Sequence, residues 1–445
     1  MYSWGRGGIP ALVIASIIAG CGASATGPIA QQIVFIVQPQ NTEVDRYLRP
    51  TVTVELRDTE GKVAVRYRGE VTLSIGMNPN SATLGGTLTH VVRDGRVAFS
   101  DAAIDRPGYG YTLVATSGGL EAESEPCHVV VPSVYVGSAG DGTVTVTDTR
   151  DHTTIVTLEV GNSPGDIAIT PAGRYVYVAN VGEATVSVIE TTTNSVLTTI
   201  PVGDEPSGLA VKPDGSQIYV ACLSGNGLWV IDVASQAVDT VIQLGAPRDV
   251  ALSHDGETAY VTTGLGLVIL PTRAEAPWDT IPPSLAYYVA ASPLGDVIYV
   301  ARYIDTVWVI EAGSRSVIAE VTVSSHRALG RPAFQPGDRF AYVPLHDFIA
   351  VIETVQHSWV ESIPNHARAT YAGFTPDGER AYVPSGDWLA IVETETKRPF
   401  PLGARRWGGL DRLDRQLDRA HRLAFQRHSL SKKRSLTLPV FLCPV

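Results

Sequence analysis

The sequence predicts an all-β protein: a seven-bladed β-propeller preceded by a β-sandwich. Three observations predict it. A Tyr-Val pair stands at Tyr135, Tyr177, Tyr219, Tyr260, Tyr299, Tyr342 and Tyr382, at steps of 42, 42, 41, 39, 43 and 40 residues. A strand-like unit repeating at about 40 residues is what a propeller blade looks like in sequence. Tight-turn signals precede most of the pairs, and the stretch ahead of residue 131 is a run of short alternating segments.

Each blade can be read strand by strand. The turns are Pro171-Ala172-Gly173, Pro213-Asp214-Gly215, His254-Asp255-Gly256, Pro293-Leu294-Gly295 and Pro376-Asp377-Gly378, with the Gly four residues ahead of the Tyr; at Gly337 it lies five ahead. Pro presets φ and Gly supplies φ > 0, so each reads as a hairpin. Ahead of the turn come small apolar residues, as in Asp166-Ile-Ala-Ile and Gly208-Leu-Ala-Val, which suit an innermost strand crowded around an axis. After each Tyr-Val strand comes a third, such as Thr185-Val-Ser-Val-Ile or Val307-Trp-Val-Ile. In six blades it ends in an acid: Asp148, Glu190, Asp232, Glu311, Glu353 and Glu393. An outer strand follows, such as Ser195–Gly203. Four strands per blade and seven blades span about residues 131–403. Blade 4 departs from the pattern: Leu270 stands where the acid belongs, and a proline-rich stretch around Trp278 reads either as an exposed binding loop or as an irregular outer strand.

The unit resembles the YVTN family of β-propeller repeats, found in bacterial and archaeal surface proteins. The resemblance covers the whole 131–403 region. It implies the fold strongly and the function weakly, because related propellers include lactonases, haem-dependent reductase domains and plain surface proteins.

The front end reads as a targeting segment. Arg6 supplies a positive start, Ile9–Ala19 is a short apolar run, and the segment closes on Ile18-Ala19-Gly20-Cys21. That resembles the bacterial lipobox, which implies lipidation of Cys21 and anchoring in a membrane. Several acyl chains on one residue hold stably where a single chain is marginal. Gly22, rather than an Asp, follows the Cys, so the outer membrane is favoured where the cell has one. Residues 31–131 carry strand-like runs at Ile33, Thr51, Val71, Arg96 and Tyr111, separated by turn signals such as Asp94-Gly95. Their length and spacing suit a β-sandwich. The stretch resembles bacterial Ig-like domains, implying a spacer between membrane and propeller. The chain thus divides into a lipoprotein signal peptide with lipobox over 1–21, a linker over 22–30, an Ig-like β-sandwich over 31–131, a propeller over 132–403 and a basic tail over 404–445.

Charge bounds the partners. Residues 1–400 carry a net charge of −18 and the last 45 residues +7. An acidic body argues against nucleic-acid binding, which needs a basic surface. In the tail, Leu410, Leu413, Leu417, Ala420 and Leu423 fall near one helical face, so it reads either as an amphipathic helix or as a disordered terminus. The first blade begins at its second strand, and its missing inner strand must come from elsewhere; Leu436–Leu442 can supply it. With Cys21 lipidated, Cys127, Cys222 and Cys443 are an odd number with no metal spacing.

The chemistry is sparsely marked. The loops after the outer strand and after the Tyr-Val strand share one face, by resemblance the ligand face of propellers. In blades 5–7 they carry Arg302, His326, Arg327, Arg331, His346, His366 and Arg368, while the earlier blades are neutral or acidic there. These residues are the candidate ligand-binding set, for a carboxylate, a phosphate or a sulfated glycan. Histidines 20 residues apart match no local metal pattern, so no metal is assigned. There is no Gly-x-Ser-x-Gly elbow, no His-Glu-x-x-His, no phosphate loop and no Cys-x-x-Cys-His haem attachment, so no catalytic residue or cofactor is assigned. The periodic acids are expected to serve blade turns. The sequence reads as a membrane-anchored cell-envelope lipoprotein whose propeller binds or scaffolds a protein, a glycan or a small anion. The alternative is a hydrolase resembling the propeller lactonases, dependent on His326, His346 or His366. A redox partner domain is disfavoured by the missing haem motif.

Overall fold

The computed structural model describes residues 30–273, 278–282, 286–303, 305–323, 330–364, 369–385, 388–399, 405–406 and 437–442. Every regular element among them is a β-strand. Cys21 lies outside the described residues.

The five alternating runs ahead of residue 131 are all strands. Gln32–Val37, Val52–Arg57 and Arg96–Phe99 form one sheet, and Leu120–Glu123, Leu113–Ser117, Glu70–Ile75 and Thr89–Val91 a second. Thr42–Glu43, Cys127–Val130 and Gly108–Tyr111 make a third. Alternation puts one side of each strand inside, as in Glu70–Ile75, where Val71 and Leu73 are buried and Glu70, Thr72 and Ser74 are exposed. Val71, Leu73, Leu48, Val54, Phe99 and Tyr111 belong to one core, separate from those of the following blades.

Residues 133–399, 405–406 and 437–442 build seven antiparallel sheets in sequence order, six of four strands and the last of five, where Arg405–Arg406 also pairs with Trp388–Glu393. Blade 2 is representative: Pro164–Ile169, Tyr175–Asn180, Thr185–Glu190 and Ser195–Pro201, from axis to rim. Blade 1 takes three strands from residues 133–159 and its innermost from Thr437–Leu442, which lies beyond the expected 403 boundary. That strand runs antiparallel to Ser133–Ser138, with Tyr135 opposite Phe441 and Val136 opposite Val440. The ring is latched by joining the two ends of the propeller in one sheet, which pairs the inner edge of Ser133–Ser138.

The repeat Tyr explains itself in this frame. All seven are at most 5% exposed. Four reach across to the next blade: the Tyr135 hydroxyl donates to Asn194 Oδ1 at 2.7 Å, Tyr177 donates to Gln236 Oε1 at 2.9 Å, Tyr219 donates to the Thr272 carbonyl at 3.4 Å, and the Tyr299 hydroxyl meets His357 Nδ1 at 3.1 Å. Asn194, Gln236 and His357 share a left-handed corner between third and fourth strands, at φ of 46°, 53° and 50°. The periodic acids sit at the start of that corner. Asp232 accepts from the Ser235 amide at 2.7 Å, Glu353 from that of Gln356 at 2.6 Å and Asp148 from that of Arg150 at 2.8 Å. In blade 4, Leu270 fills the place of the acid and is 1% exposed; the outer strand shrinks to Asp279–Ile281, beside Trp278 at 42% exposed.

The two faces of the propeller differ. One, the turn face, carries the Pro-x-Gly hairpins and the acid corners. The N-terminal unit rests on it at blades 1 and 2: Tyr109 and Thr191 share a hydroxyl hydrogen bond of 2.7 Å, and Arg150 Nη1 donates to the Val44 carbonyl at 3.4 Å. The other, the loop face, carries the connections on which the candidate ligand residues were placed.

Candidate functional site at the propeller axis

The inner strands set the site. Opposite the repeat Tyr of blades 2–7 stand Ala168, Ala210, Ala251, Ala290, Ala333 and Gly373. Two residues earlier, the same register holds Asp166, Gly208, Asp249, Tyr288, Arg331 and Tyr371. The column is therefore a ring of six residues around the axis near the loop face, and five of the six carry polar side chains.

Arg331 crosses the axis from blade 6. Its Nη1 lies 2.7 Å from Asp166 Oδ2 and its Nη2 3.0 Å from Asp249 Oδ1. Nη2 also donates to the Val250 carbonyl at 2.6 Å, and Nε to the Val289 carbonyl at 3.3 Å. Each carboxylate takes two backbone amides besides. Asp166 accepts from Ile167 at 2.9 Å and Leu209 at 2.7 Å, and Asp249 from Val250 and Val289, both at 2.9 Å. Blades 2–6 are thus pinned by one guanidinium and two acids. Gly208 completes the fit, since a Cβ there would stand 2.7 Å from Asp249 Oδ1.

Burial governs the electrostatics. Asp166 and Asp249 are 0% and 2% exposed. Burial pushes both carboxyls up, against the pull of Arg331. Burial also opposes the Arg331 charge, but Asp249 and Asp166 outweigh it and hold the guanidinium protonated. Two buried acids share one buried cation, so a proton on one acid neutralises the group. With both terminal nitrogens and Nε engaged, Arg331 acts as a structural pin across the axis.

Two features adjoin the pin. Below it, toward the turn face, lies a cavity of about 310 Å³ lined by Ala168, Leu209, Ala210, Ala333, Arg331 and Tyr371. Above it, an aromatic row climbs to the loop face. Tyr371 packs on Tyr288 at 5.8 Å between ring centroids, Tyr288 on Tyr287 at 4.9 Å, and Tyr287 on Tyr303 at 6.2 Å. Tyr303 is 50% exposed. The Arg248 guanidinium lies 5.1 Å from the Tyr287 ring centroid. Among the described residues Arg248 has no carboxylate within ion-pair distance, unlike Arg302, Arg315 and Arg331.

The three described residues of the set chosen from sequence do not converge. Arg302 turns outward over the Trp308 ring at 4.4 Å and pairs with Glu320 at 3.2 Å. His346 is exposed, with Nδ1 2.6 Å from Asp347 Oδ1. Arg331 is at the axis, sequestered as described. His326, Arg327, His366 and Arg368 lie outside the described residues. Sequence reasoning passed over Asp249, Tyr288, Tyr371 and Arg248, and took Asp166 as the start of an inner strand and the acidic end of the blade 2 loop. The signal was present as a column of unlike residues inside an otherwise uniform small-residue repeat.

No group of three His, Cys, Asp or Glu side chains among the described residues is placed to hold a metal. Cys127 and Cys222 are free and buried, with burial pushing their thiols up to about 11 and about 12. Neither is a nucleophile at neutral pH. Among the described residues no helix is long and apolar enough to cross a membrane.

Residues 131–239 match the model of the family described as Lactonase, 7-bladed beta-propeller. The chain is a β-propeller protein. No curated protein matches its sequence. Among solved structures it is similar to a functionally unknown protein from Desulfotomaculum acetoxidans DSM 771, with a TM-score of 0.54 and 12% identity over 62% of this chain and 97% of that one. It is also similar to the β-propeller domain of Cps50 (Swd1) from Myceliophteria thermophila, with a TM-score of 0.51 and 13% identity over 57% of this chain and 90% of that one. Hydrazine synthase of Kuenenia stuttgartiensis matches with a TM-score of 0.48 and 19% identity over 52% of this chain and 77% of that one. At these identities the likeness is one of fold.

Proposed function

We propose that this propeller is a binding module of the cell envelope, held to a membrane through Cys21 and an Ig-like spacer, with its ligand seated on the loop face. The observation that carries the reading is the aromatic row from Tyr303 to Tyr371 with Arg248 beside it. Tyrosine rings give rigid contact area with a polar rim, and a guanidinium without a carboxylate partner favours an acidic group on the ligand. A glycan bearing carboxylates or a small organic anion fits that pair of features. The anchor rests on the lipobox-like end at Cys21. The spacer reading is supported by the separate core of residues 30–131 and by its seat on the turn face, which leaves the loop face turned away from the N-terminal side.

The second reading is a lactonase-like hydrolase, favoured by the family match over residues 131–239. Ring opening needs a base or a metal-bound water. The described polar groups at the axis are engaged with one another instead.

A thermal-shift screen of the detergent-solubilised full-length protein against glycans, organic acids and lactones tests the proposal, since a ligand bound to the folded state raises the melting temperature. Acidic ligands are expected to raise it in the parent and not in Arg248→Ala/Tyr303→Ala. A shift that survives in the double variant moves the site away from the aromatic row.

A further inference from the structure

Blade 6 breaks the turn pattern in a way the fold does not require. In five blades the residue four ahead of the repeat Tyr is Gly173, Gly215, Gly256, Gly295 or Gly378, with φ between 70° and 82°. Blade 6 has Asp338 in that slot at φ 58°. A left-handed residue other than glycine is uncommon, and Asp is among the few that tolerate it.

Its carboxylate is drawn inward. Asp338 is 6% exposed. Oδ2 accepts from Ser292 Oγ at 2.7 Å, while Oδ1 is buried with no donor. Ser292 Oγ also lies 3.0 Å from Asp296 Oδ1. One hydroxyl carries one proton, so it cannot serve both acids at once. No lysine, arginine or histidine pairs with Asp296 or Asp338 among the described residues. Oxygen acceptors and negative charge from Asp338 and Asp296 are in surplus at one point between blades 5 and 6, with nothing positive among the described residues to meet them.

We propose that Asp338, Asp296 and Ser292 hold a calcium ion on the turn face of the propeller. All the donors are hard oxygens, which suit calcium and magnesium and not the thiophilic metals. Calcium takes irregular sets of six to eight oxygens completed by water and carbonyls, whereas magnesium demands a regular octahedron. Asp296 is exposed, so water can complete the shell from that side. Two carboxylates place the affinity at the weak end, with Kd on the order of 10⁻⁴–10⁻³ M as in extracellular modules. Burial pushes the Asp338 carboxyl up in the ion-free protein, as expected for a buried acid without a counter-charge.

The test uses the full-length protein stripped with chelator, melted across a calcium series at constant ionic strength, with magnesium in parallel. Asp338→Gly puts into the slot the residue that five other blades use, so the variant folds. The parent is expected to gain about 2–4 °C at a tenfold excess over Kd. Magnesium should do less, Asp338→Gly should not respond, and Ser292→Ala should respond at higher calcium. Equal gains in the parent and Asp338→Gly would overturn the site. So would a parent that does not respond at about 10 mM calcium, ten times the weakest expected Kd; Asp338 would then hold a proton or an ordered water.

Discussion

Asp249 decides how the axis responds to pH. Its folded-state pKa is raised, so between the unfolded value of about 3.9 and the folded one the native state binds more protons than the unfolded chain. The stability this group contributes is therefore greatest at and below about pH 4 and falls as pH rises through the folded pKa. Asn at this position imitates the protonated acid at every pH. The melting temperature of Asp249→Asn minus that of the parent should thus move in the variant's favour between pH 4 and pH 8. Movement the other way would mean that Arg331 outweighs burial and that both acids stay ionised. The hydrogen-bonded pin also commits Arg331 to Asp166, Asp249 and the carbonyls of Val250 and Val289. Removing one partner of such a buried pair costs about 3–5 kcal/mol, so its donors are already committed.

At the scale of elements, the Tyr of the repeat is a tie between blades. Tyr177 in blade 2 donates to Gln236 in blade 3, and Tyr135 in blade 1 donates to Asn194 in blade 2. Replacing either Tyr by Phe keeps the ring and removes one hydrogen bond, at a cost of about 1 kcal/mol. The two ties have no partner in common, so chemical denaturation of the double Phe variant should show the costs adding. Parental stability in both single variants would remove the hydroxyls from the account and leave the rings as packing alone. The strands of each blade were legible because their cues are local: alternation, a Gly-containing turn ahead of most of the Tyr-Val pairs, and small apolar residues ahead of that turn. The ties were not, because each joins residues 59 apart through a left-handed corner whose residue types vary, Asn in one blade and Gln in another. The Arg331–Asp166 pair is harder still, with 165 residues between its partners. Arg331 was picked out for its charge alone, and the charge proved to face inward.

For the molecule as a whole, closure and polarity follow from where the chain ends and begins its ring. Thr437–Leu442 completes blade 1, a role the apolar run at 436–442 suggested while the charged stretch before it obscured the connection. The N-terminal unit occupies the turn face at blades 1 and 2, so the aromatic row stands on the opposite, open side. The proposed binding role rests on the aromatic row that reaches the surface at Tyr303 and on a polar axis whose groups are engaged with one another. The direct measurement is the rate of lactone ring opening by the full-length protein, across a panel of lactones, at the concentrations where binding is detected. The account predicts bound ligand and no rate above buffer. A catalysed rate that follows the protein through purification and is lost in Arg248→Ala/Tyr303→Ala would contradict it and make the propeller an enzyme.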